Sequence, residues 1–192
     1  MNIGVLALQG DFEEHITMLR KIGVEATEIR LSSQLVEIDA LIIPGGESTT
    51  IGKLATDFGM MDDLRVFGRA KPIWGTCAGA IFLSKDARRK QPLLELMDIK
   101  VERNAFGRQV DSFEVDLDIP EIQALDPEAD PYHAIFIRAP IIESVHGEAR
   151  ILSALADGRI VAAQEGLWLA TSFHPELTGD DRFHRYFLTL VE

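Results

Sequence analysis

The stretch Lys71-Pro72-Ile73-Trp74-Gly75-Thr76-Cys77-Ala78-Gly79-Ala80-Ile81-Phe82-Leu83 decides how the chain is read. A short apolar run ends at Trp74, a Gly-x-Cys-x-Gly turn follows, and an apolar segment with helical spacing comes next. This is the strand–turn–helix pattern of a nucleophile elbow. A reactive atom that stands out from a tight turn needs small neighbours, and Gly75, Ala78 and Gly79 supply them. The turn also sets Cys77 at a helix N-terminus, where free N–H groups and the positive end of the helix dipole favour a thiolate. Cys77 is the only cysteine in the sequence. Unpaired cysteine is also among the most buried residue types, so the turn alone leaves two readings open, a nucleophile or a packed thiol.

On the N-terminal side, residues 3–8 form a continuous apolar run ending in Gln9-Gly10, as expected of a strand buried on both faces of a parallel sheet. With no basic leader before it, this run reads as a first strand rather than a signal peptide. Asp11 is placed to cap a helix whose apolar positions Phe12, Ile16 and Leu19 recur at helical spacing, and Gly23 ends it. Residues 24–30 and 40–43 read as the next two strands. Short βαβ connections of this kind imply a parallel sheet covered by helices. The third strand runs into Pro44-Gly45-Gly46-Glu47-Ser48-Thr49-Thr50. Ligand sites of parallel sheets lie at the carboxyl ends of strands, and two glycines there let backbone N–H groups face a cleft. Ser48, Thr49 or Thr50 is a candidate cap for the helical region that follows to about residue 69, with a break near Gly59. The Gly-Lys-Ser/Thr element of a phosphate loop is missing.

On the C-terminal side, residues 84–92 are the most polar stretch and read as a surface loop. Residues 99–102 resume strand character, and residues 110–117 alternate apolar and acidic in the manner of a half-exposed strand. Residues 118–133 read as a loop, 134–137 as a buried strand, and 151–155 with 160–163 as a hairpin turning at Asp157-Gly158. Residues 167–173 are a further strand and 180–191 a closing helix with Phe183, Phe187 and Leu190 on one face. No repeat or linker divides the 192 residues, which are expected to form one domain.

The strand at 167–173 ends in Ser172-Phe173-His174-Pro175-Glu176. A cysteine nucleophile needs a base, and a carboxylate fixes the imidazole tautomer. In extended backbone, residues two apart point to one side, so His174 and Glu176 are expected to project together. The other histidines are read as structural or solvated, His15 and His184 in helices and His133 and His146 in loops.

Composition limits the partners. A formal charge of −12 argues against nucleic acid or an anionic membrane. No apolar run approaches the ~20 residues of a membrane span. One cysteine excludes a disulfide framework and a Cys-rich zinc site, and fits a reducing compartment. A cytoplasmic protein with no metal and no cofactor is the expectation.

Gly75-Thr76-Cys77-Ala78-Gly79 together with Phe173-His174-Pro175-Glu176 resembles the class I glutamine amidotransferases. Five further blocks are similar to the glutaminase subunits of pyridoxal 5′-phosphate synthases: Val5-Leu6-Ala7-Leu8-Gln9-Gly10, Pro44 to Thr50 as quoted above, Arg103-Asn104-Ala105-Phe106-Gly107-Arg108-Gln109, Ile137-Arg138-Ala139-Pro140, and Ser172 to Glu176 continued by Leu177-Thr178. The resemblance spans essentially the whole chain. It implies an α/β, flavodoxin-like class I glutamine amidotransferase fold with a mostly parallel central sheet and helices on both faces. It implies hydrolysis of L-glutamine to glutamate and ammonia through a γ-glutamyl thioester on Cys77, with His174 as acid/base and Glu176 as its orienting partner. By the same resemblance Gly46, Glu47, Ser48, Arg103, Ile137 and Arg138 bind glutamine, and the Gly46 and Ala78 N–H groups form the oxyanion hole. The implied partner is a (β/α)8-barrel synthase subunit in a large hetero-oligomer, with Gln9 coupling docking to the oxyanion loop. Two alternatives stand beside it: a glutaminase serving another pathway, such as histidine biosynthesis, and a non-catalytic flavodoxin-like protein with a redox-sensitive cysteine. An α/β-hydrolase triad would need its acid between nucleophile and histidine, whereas Glu176 follows His174.

Overall fold

Period-two burial on short apolar runs builds the centre of the molecule, a computed structural model that describes residues 1–103 and 112–191. In β1 (Asn2–Leu6) and β3 (Ala40–Ile43), alternate side chains enter opposite cores. Leu6, Leu41 and Ile43 go to one, and Ile3, Val5, Ala40 and Ile42 to the other. Both cores need a helical cover, which is why the sequence alternates strand and helix here.

β1 pairs in parallel with β2 (Glu25–Ile29) and with β3. β3 pairs in parallel with β4 (Ile73–Thr76), and β4 with β12 (Trp168–Thr171). Beyond β12 the sheet turns antiparallel through β11 (Ile160–Glu165), which also pairs with β10 (Arg150–Ala154) and β9 (Ile141–Val145). β6 (Met97–Glu102) is antiparallel to β9, and β5 (Ser84–Asp86) closes the edge in parallel with β6. The order is β2-β1-β3-β4-β12-β11-β9-β6-β5. A separate antiparallel pair, β7 (Ser112–Leu117) and β8 (Tyr132–Ile137), packs against the second core through Leu117, Tyr132, Ala134 and Phe136.

Helices α2 (Ser48–Asp57), α3 (Met61–Ala70) and α4 (Ala78–Leu83) cover the first core. Helices α1 (Phe12–Lys21), α5 (Pro120–Gln123) and α6 (Arg182–Thr189) cover the second. The α/β fold with a mostly parallel central sheet and helices on both faces is therefore the observed one. Trp74 anchors the second core. It is fully buried, its ring stacks on Phe183, and its Nε1 donates to Thr171 Oγ1 at 3.2 Å, tying β4 to β12. No helix among the described residues is long and apolar enough to cross a membrane.

Several local expectations need correction. The polar segment 84–92 opens with strand β5, because Ser84 is buried and its hydroxyl donates to the Ile81 carbonyl at 2.7 Å. Residues 118–133 are not all loop. Pro120 starts the single turn α5, which buries Ile122, and β8 begins at Tyr132. β8 is buried on one face only, with Ile137 38% exposed. Strand β9 had no counterpart in the sequence reading, since Ile141 and Ile142 are followed by the polar pair Glu143-Ser144.

Candidate active site

β4 and β12 lie side by side, with Thr76 opposite Thr171. Both chains leave the sheet at their carboxyl ends, the position where parallel sheets build sites. After β4 the chain reverses at Cys77, whose φ of 47° and ψ of −105° lie outside the regions ordinary side chains favour. Such a conformation costs on the order of 1–3 kcal/mol and persists only where surrounding contacts hold it. Here Cys77 N–H donates to the Thr171 carbonyl at 2.8 Å. Close packing holds the rest. A Cβ on Gly79 would stand 1.9 Å from the Ile43 carbonyl oxygen, and one on Gly75 would stand 2.5 Å from the Gly79 backbone. The elbow is thus wedged between β3 and α4, with Cys77 only 7% exposed.

His174 reaches Cys77 from the segment after β12. Its Nδ1 lies 2.6 Å from Glu176 Oε1, and the Cys77 sulfur is close enough to act on the charge of the ring. The alignment does not come from extended backbone. Residues Pro175–Leu177 form a 3-10 turn, and Pro175 fixes its start. His174 is held at the other end by its own N–H, which donates to the Ile135 carbonyl of β8 at 2.9 Å. Burial by itself would lower the His174 pKa, but the Cys77 sulfur and the Glu176 carboxylate outweigh it and raise it to about 10. The imidazole is therefore held as the cation, between the Cys77 sulfur and the Glu176 carboxylate. Burial pushes the Glu176 carboxyl up, and the hydrogen bond and charge of His174 offset only part of that rise.

Asp11 stands at the N-cap of α1, yet its side chain makes no cap hydrogen bond. It faces His174 instead, with Oδ2 3.6 Å from Nδ1. Asp11, His174 and Glu176 offer ligand atoms within 4.8 Å of one another, the spacing of a possible cation site. Nδ1 is committed to Glu176 at 2.6 Å, which is the geometry of an orienting pair rather than of two independent ligands.

The glycine loop after β3 lies over the imidazole, since a Cβ on Gly45 would stand 2.5 Å from His174 Cε1. Gly46 has a φ of +151°, and Gln9 Oε1 accepts from the Glu47 N–H at 2.7 Å, so Gln9 holds this loop. The cap of α2 is Glu47 rather than Ser48, Thr49 or Thr50, because its carboxylate accepts from Thr50 N–H at 2.7 Å and from both threonine hydroxyls. Arg103 Nη2 lies 2.7 Å from the other Glu47 oxygen. Slight burial would raise the Glu47 pKa, but these donors hold it down at about 2. Ser48 is buried, and its Oγ accepts from Gln91 Nε2 at 3.2 Å. Ala78 opens α4, so its N–H has no acceptor within the helix. Ile137 ends β8, two residues beyond the carbonyl that holds His174, and Arg138 follows in the left-handed region at φ 43°. The part of the Arg103 block at 104–109 lies outside the described residues.

Two histidines set aside in the sequence reading also belong here. His15 and His184 are fully buried, with His15 Nδ1 3.0 Å from His184 Nε2. His15 Nε2 lies 3.2 Å from Thr76 Oγ1 and 3.3 Å from Glu176 Oε2. The available signal was helical phase. His15 lies between Phe12 and Leu19 on the inward stripe of α1, and His184 follows Phe183 on that of α6.

The model of the SNO glutamine amidotransferase family matches residues 5–192. The pyridoxal 5′-phosphate synthase subunit PdxT of Herpetosiphon aurantiacus is 55% identical over 195 residues, covering 99% of this chain and 100% of that protein. The subunit of the same name from a Roseiflexus species is 52% identical over 194 residues, with 99% and 100% covered. A crystal structure described as a glutamine amidotransferase superposes with a TM-score of 0.88 at 48% identity, covering 98% of each chain.

Proposed function

The chain belongs to the SNO glutamine amidotransferase family, and we propose that its Cys77–His174–Glu176 set carries out the glutaminase half-reaction, the chain acting as a single glutaminase domain. It hydrolyses L-glutamine to L-glutamate and ammonia, and the ammonia passes to the synthase subunit of a pyridoxal 5′-phosphate synthase, as the names of its relatives suggest. The observation that carries this reading is the strained Cys77 turn, set beside a buried histidine whose Nδ1 is 2.6 Å from a buried carboxylate.

The Cys77 sulfur attacks the side-chain amide carbon, and the carbonyl oxygen becomes a tetrahedral oxyanion. The Gly46 and Ala78 N–H groups stabilise it, each donor contributing roughly 3–4 kcal/mol in such sites. His174 donates its proton to the amide nitrogen, the C–N bond breaks, and ammonia leaves a γ-glutamyl thioester on Cys77. His174 then takes a proton from water as the water oxygen attacks the thioester carbon. Collapse of the second tetrahedral state breaks the C–S bond and releases glutamate. Glu176 keeps the imidazole in the tautomer that faces sulfur throughout. Glu47, Ser48, Arg103, Ile137 and Arg138 hold the glutamine backbone and amide, with an arginine on the α-carboxylate because guanidinium and carboxylate match in shape. The Glu47–Arg103 pair then orients that arginine.

The ammonia acceptor is a (β/α)8-barrel subunit in a large hetero-oligomer. Direct transfer keeps ammonia from becoming unreactive ammonium in bulk water. Gln9 grips the oxyanion loop at Glu47, which supports a role in coupling docking to activity. The test is glutamate release from glutamine, with this chain alone and with its synthase partner, for wild type and Cys77→Ala. Turnover that rises with the partner and vanishes in the variant supports the reading. Partner-stimulated turnover by Cys77→Ala would overturn it.

A further inference from the structure

The orienting carboxylate has a buried imidazole on its far side. Glu176 Oε1 is taken by His174, while Oε2 is buried and makes no well-aligned hydrogen bond among the described residues. His15 Nε2 lies 3.3 Å from it, and the other contact of that nitrogen is Thr76 Oγ1 at 3.2 Å. The distance and the missing alignment describe one N–H shared between two acceptors and pointing more nearly at the hydroxyl.

The tautomers of the histidine pair follow from which groups can donate. Each neutral imidazole has one N–H and one bare nitrogen. Burial, followed by the neighbouring His184 and His174, lowers the His15 pKa well below its ordinary value, and burial lowers that of His184 to about 3. Both rings are therefore neutral. In one arrangement His184 Nε2–H donates to His15 Nδ1, His15 Nε2–H faces the carboxylate and Thr76, and His184 Nδ1 is a bare acceptor. In the other, a bare His15 nitrogen faces the carboxylate, and an N–H is stranded at His184 Nδ1. That atom is buried with no partner among the described residues. An orphaned N–H is the rarer and costlier case, and lone pairs facing a carboxylate repel it. The first arrangement is therefore the stable one.

We propose that His15, set in one tautomer by His184, is a positioning residue of the site: it shares its Nε2–H between Thr76 Oγ1 and Glu176 Oε2 and so keeps that carboxylate ionised and turned towards His174. This rests on the glutaminase reading for its effect on turnover, but not for its effect on the His174–Glu176 hydrogen bond. The groups facing His15 are Glu176 from the 3-10 turn, His184 from α6, Thr76 from β4 and, through Glu176, His174. The Trp74 ring closes the remaining side, 5.6 Å away edge-on.

The experiment compares His15→Gln, His15→Asn and His15→Phe in the complex with the synthase partner. The Gln amide reaches the place of Nε2, the Asn amide reaches only that of Nδ1, and Phe keeps the ring without a donor. Three quantities are read: kcat and KM for glutamine, the pH profile of kcat/KM, and the downfield proton resonance of the His174–Glu176 hydrogen bond. In the Asn and Phe variants kcat should fall about 10- to 100-fold, the range for one hydrogen bond to a charged group, with KM within about twofold. Their acid limb should move to higher pH, because a carboxylate without its donor ionises less readily. Their downfield resonance should shift or disappear. The Gln variant should stay within about threefold of wild type and keep both the limb and the resonance. Equal loss in all three variants with an unmoved pH limb would mean packing alone and would overturn the proposal, as would an unchanged resonance in His15→Asn. Should His15→Phe fail to fold, the Gln–Asn pair still decides. If wild type shows no turnover but the resonance responds as stated, the glutaminase reading fails while the positioning role stands.

Discussion

Substituting Gly79 by alanine tests whether the elbow is held by backbone contact. The added Cβ would stand 1.9 Å from the Ile43 carbonyl oxygen and 2.7 Å from its carbon. Real Cβ atoms essentially never come within 3.0 Å of another heavy atom, and both of these obstacles are backbone. No side chain can swing away, so α4 and β3 must part by roughly an ångström. Overpacking of this kind typically costs about 1–3 kcal/mol. For a chain of this size that is a fall of roughly 2–4 °C in Tm per kcal/mol. A displacement of about 1 Å at a reacting group can reduce turnover on the order of 100-fold, and Cys77 sits at the N-cap of the helix that moves. The assay is thermal unfolding together with partner-stimulated glutamate release. Gly179→Ala is the control, because nothing lies within 4 Å of its Cβ and its backbone is ordinary. It should leave stability within about 0.5 kcal/mol of wild type. A Gly79→Ala protein with wild-type Tm and turnover would refute the wedged-elbow argument.

Three further outcomes are expected. Gln9→Ala removes one neutral hydrogen bond to the Glu47 N–H; partner-stimulated turnover should fall about 2- to 12-fold, measured as glutamate release at saturating partner, while the Tm changes little. His184 is neutral in the fold down to about pH 3, whereas the unfolded chain binds that proton near its ordinary value of 6.5. Stability should therefore drop as pH falls from 6.5 towards 3, by about 1.4 kcal/mol per pH unit for one histidine, and urea midpoints of His184→Phe should show a shallower slope. Glu47 has the same sense of linkage in a lower window. With its folded pKa near 2, its contribution is complete above the ordinary value of 4.5 and disappears as pH falls through 2. Urea midpoints of wild type and Glu47→Gln should converge over that window, and a constant gap would contradict the assignment.

The elbow was legible because its requirements are local. Small residues flank Cys77, and a β-to-helix change in spacing surrounds it. The partner histidine was legible for the same reason, since Phe173-His174-Pro175-Glu176 follows an apolar strand. The backbone that aligns His174 with Glu176 was not, because alternation in an extended chain and a proline-started 3-10 turn both bring residues two apart together. Nor was the cap of α2. Ser48, Thr49 and Thr50 are ordinary cap types, but the Glu47 carboxylate collects three of their donors at once. Asp11 looks like a cap in sequence, and only the return of the chain after β12 supplies His174 as its neighbour. His15 and His184 meet across 169 residues, a separation at which helical phase indicates burial but not a partner.

β12 is the last strand in chain order, yet it lies in the middle of the sheet, between β4 and β11. Both neighbours leave the ribosome before it does. At a synthesis rate of roughly 5–20 residues per second, the edge of β4 stays unpaired for several seconds, whereas that of β11 waits about a second or less; the first is the exposure that invites wrong pairing. The same order delays assembly of the candidate site. Cys77 emerges early, but Thr171, which fixes its backbone, and His174 and Glu176, which complete the candidate set, arrive with the final strand and turn. Completion of the sheet and assembly of the Cys77–His174–Glu176 set are one event, so on the glutaminase reading a nascent or truncated chain should release no ammonia.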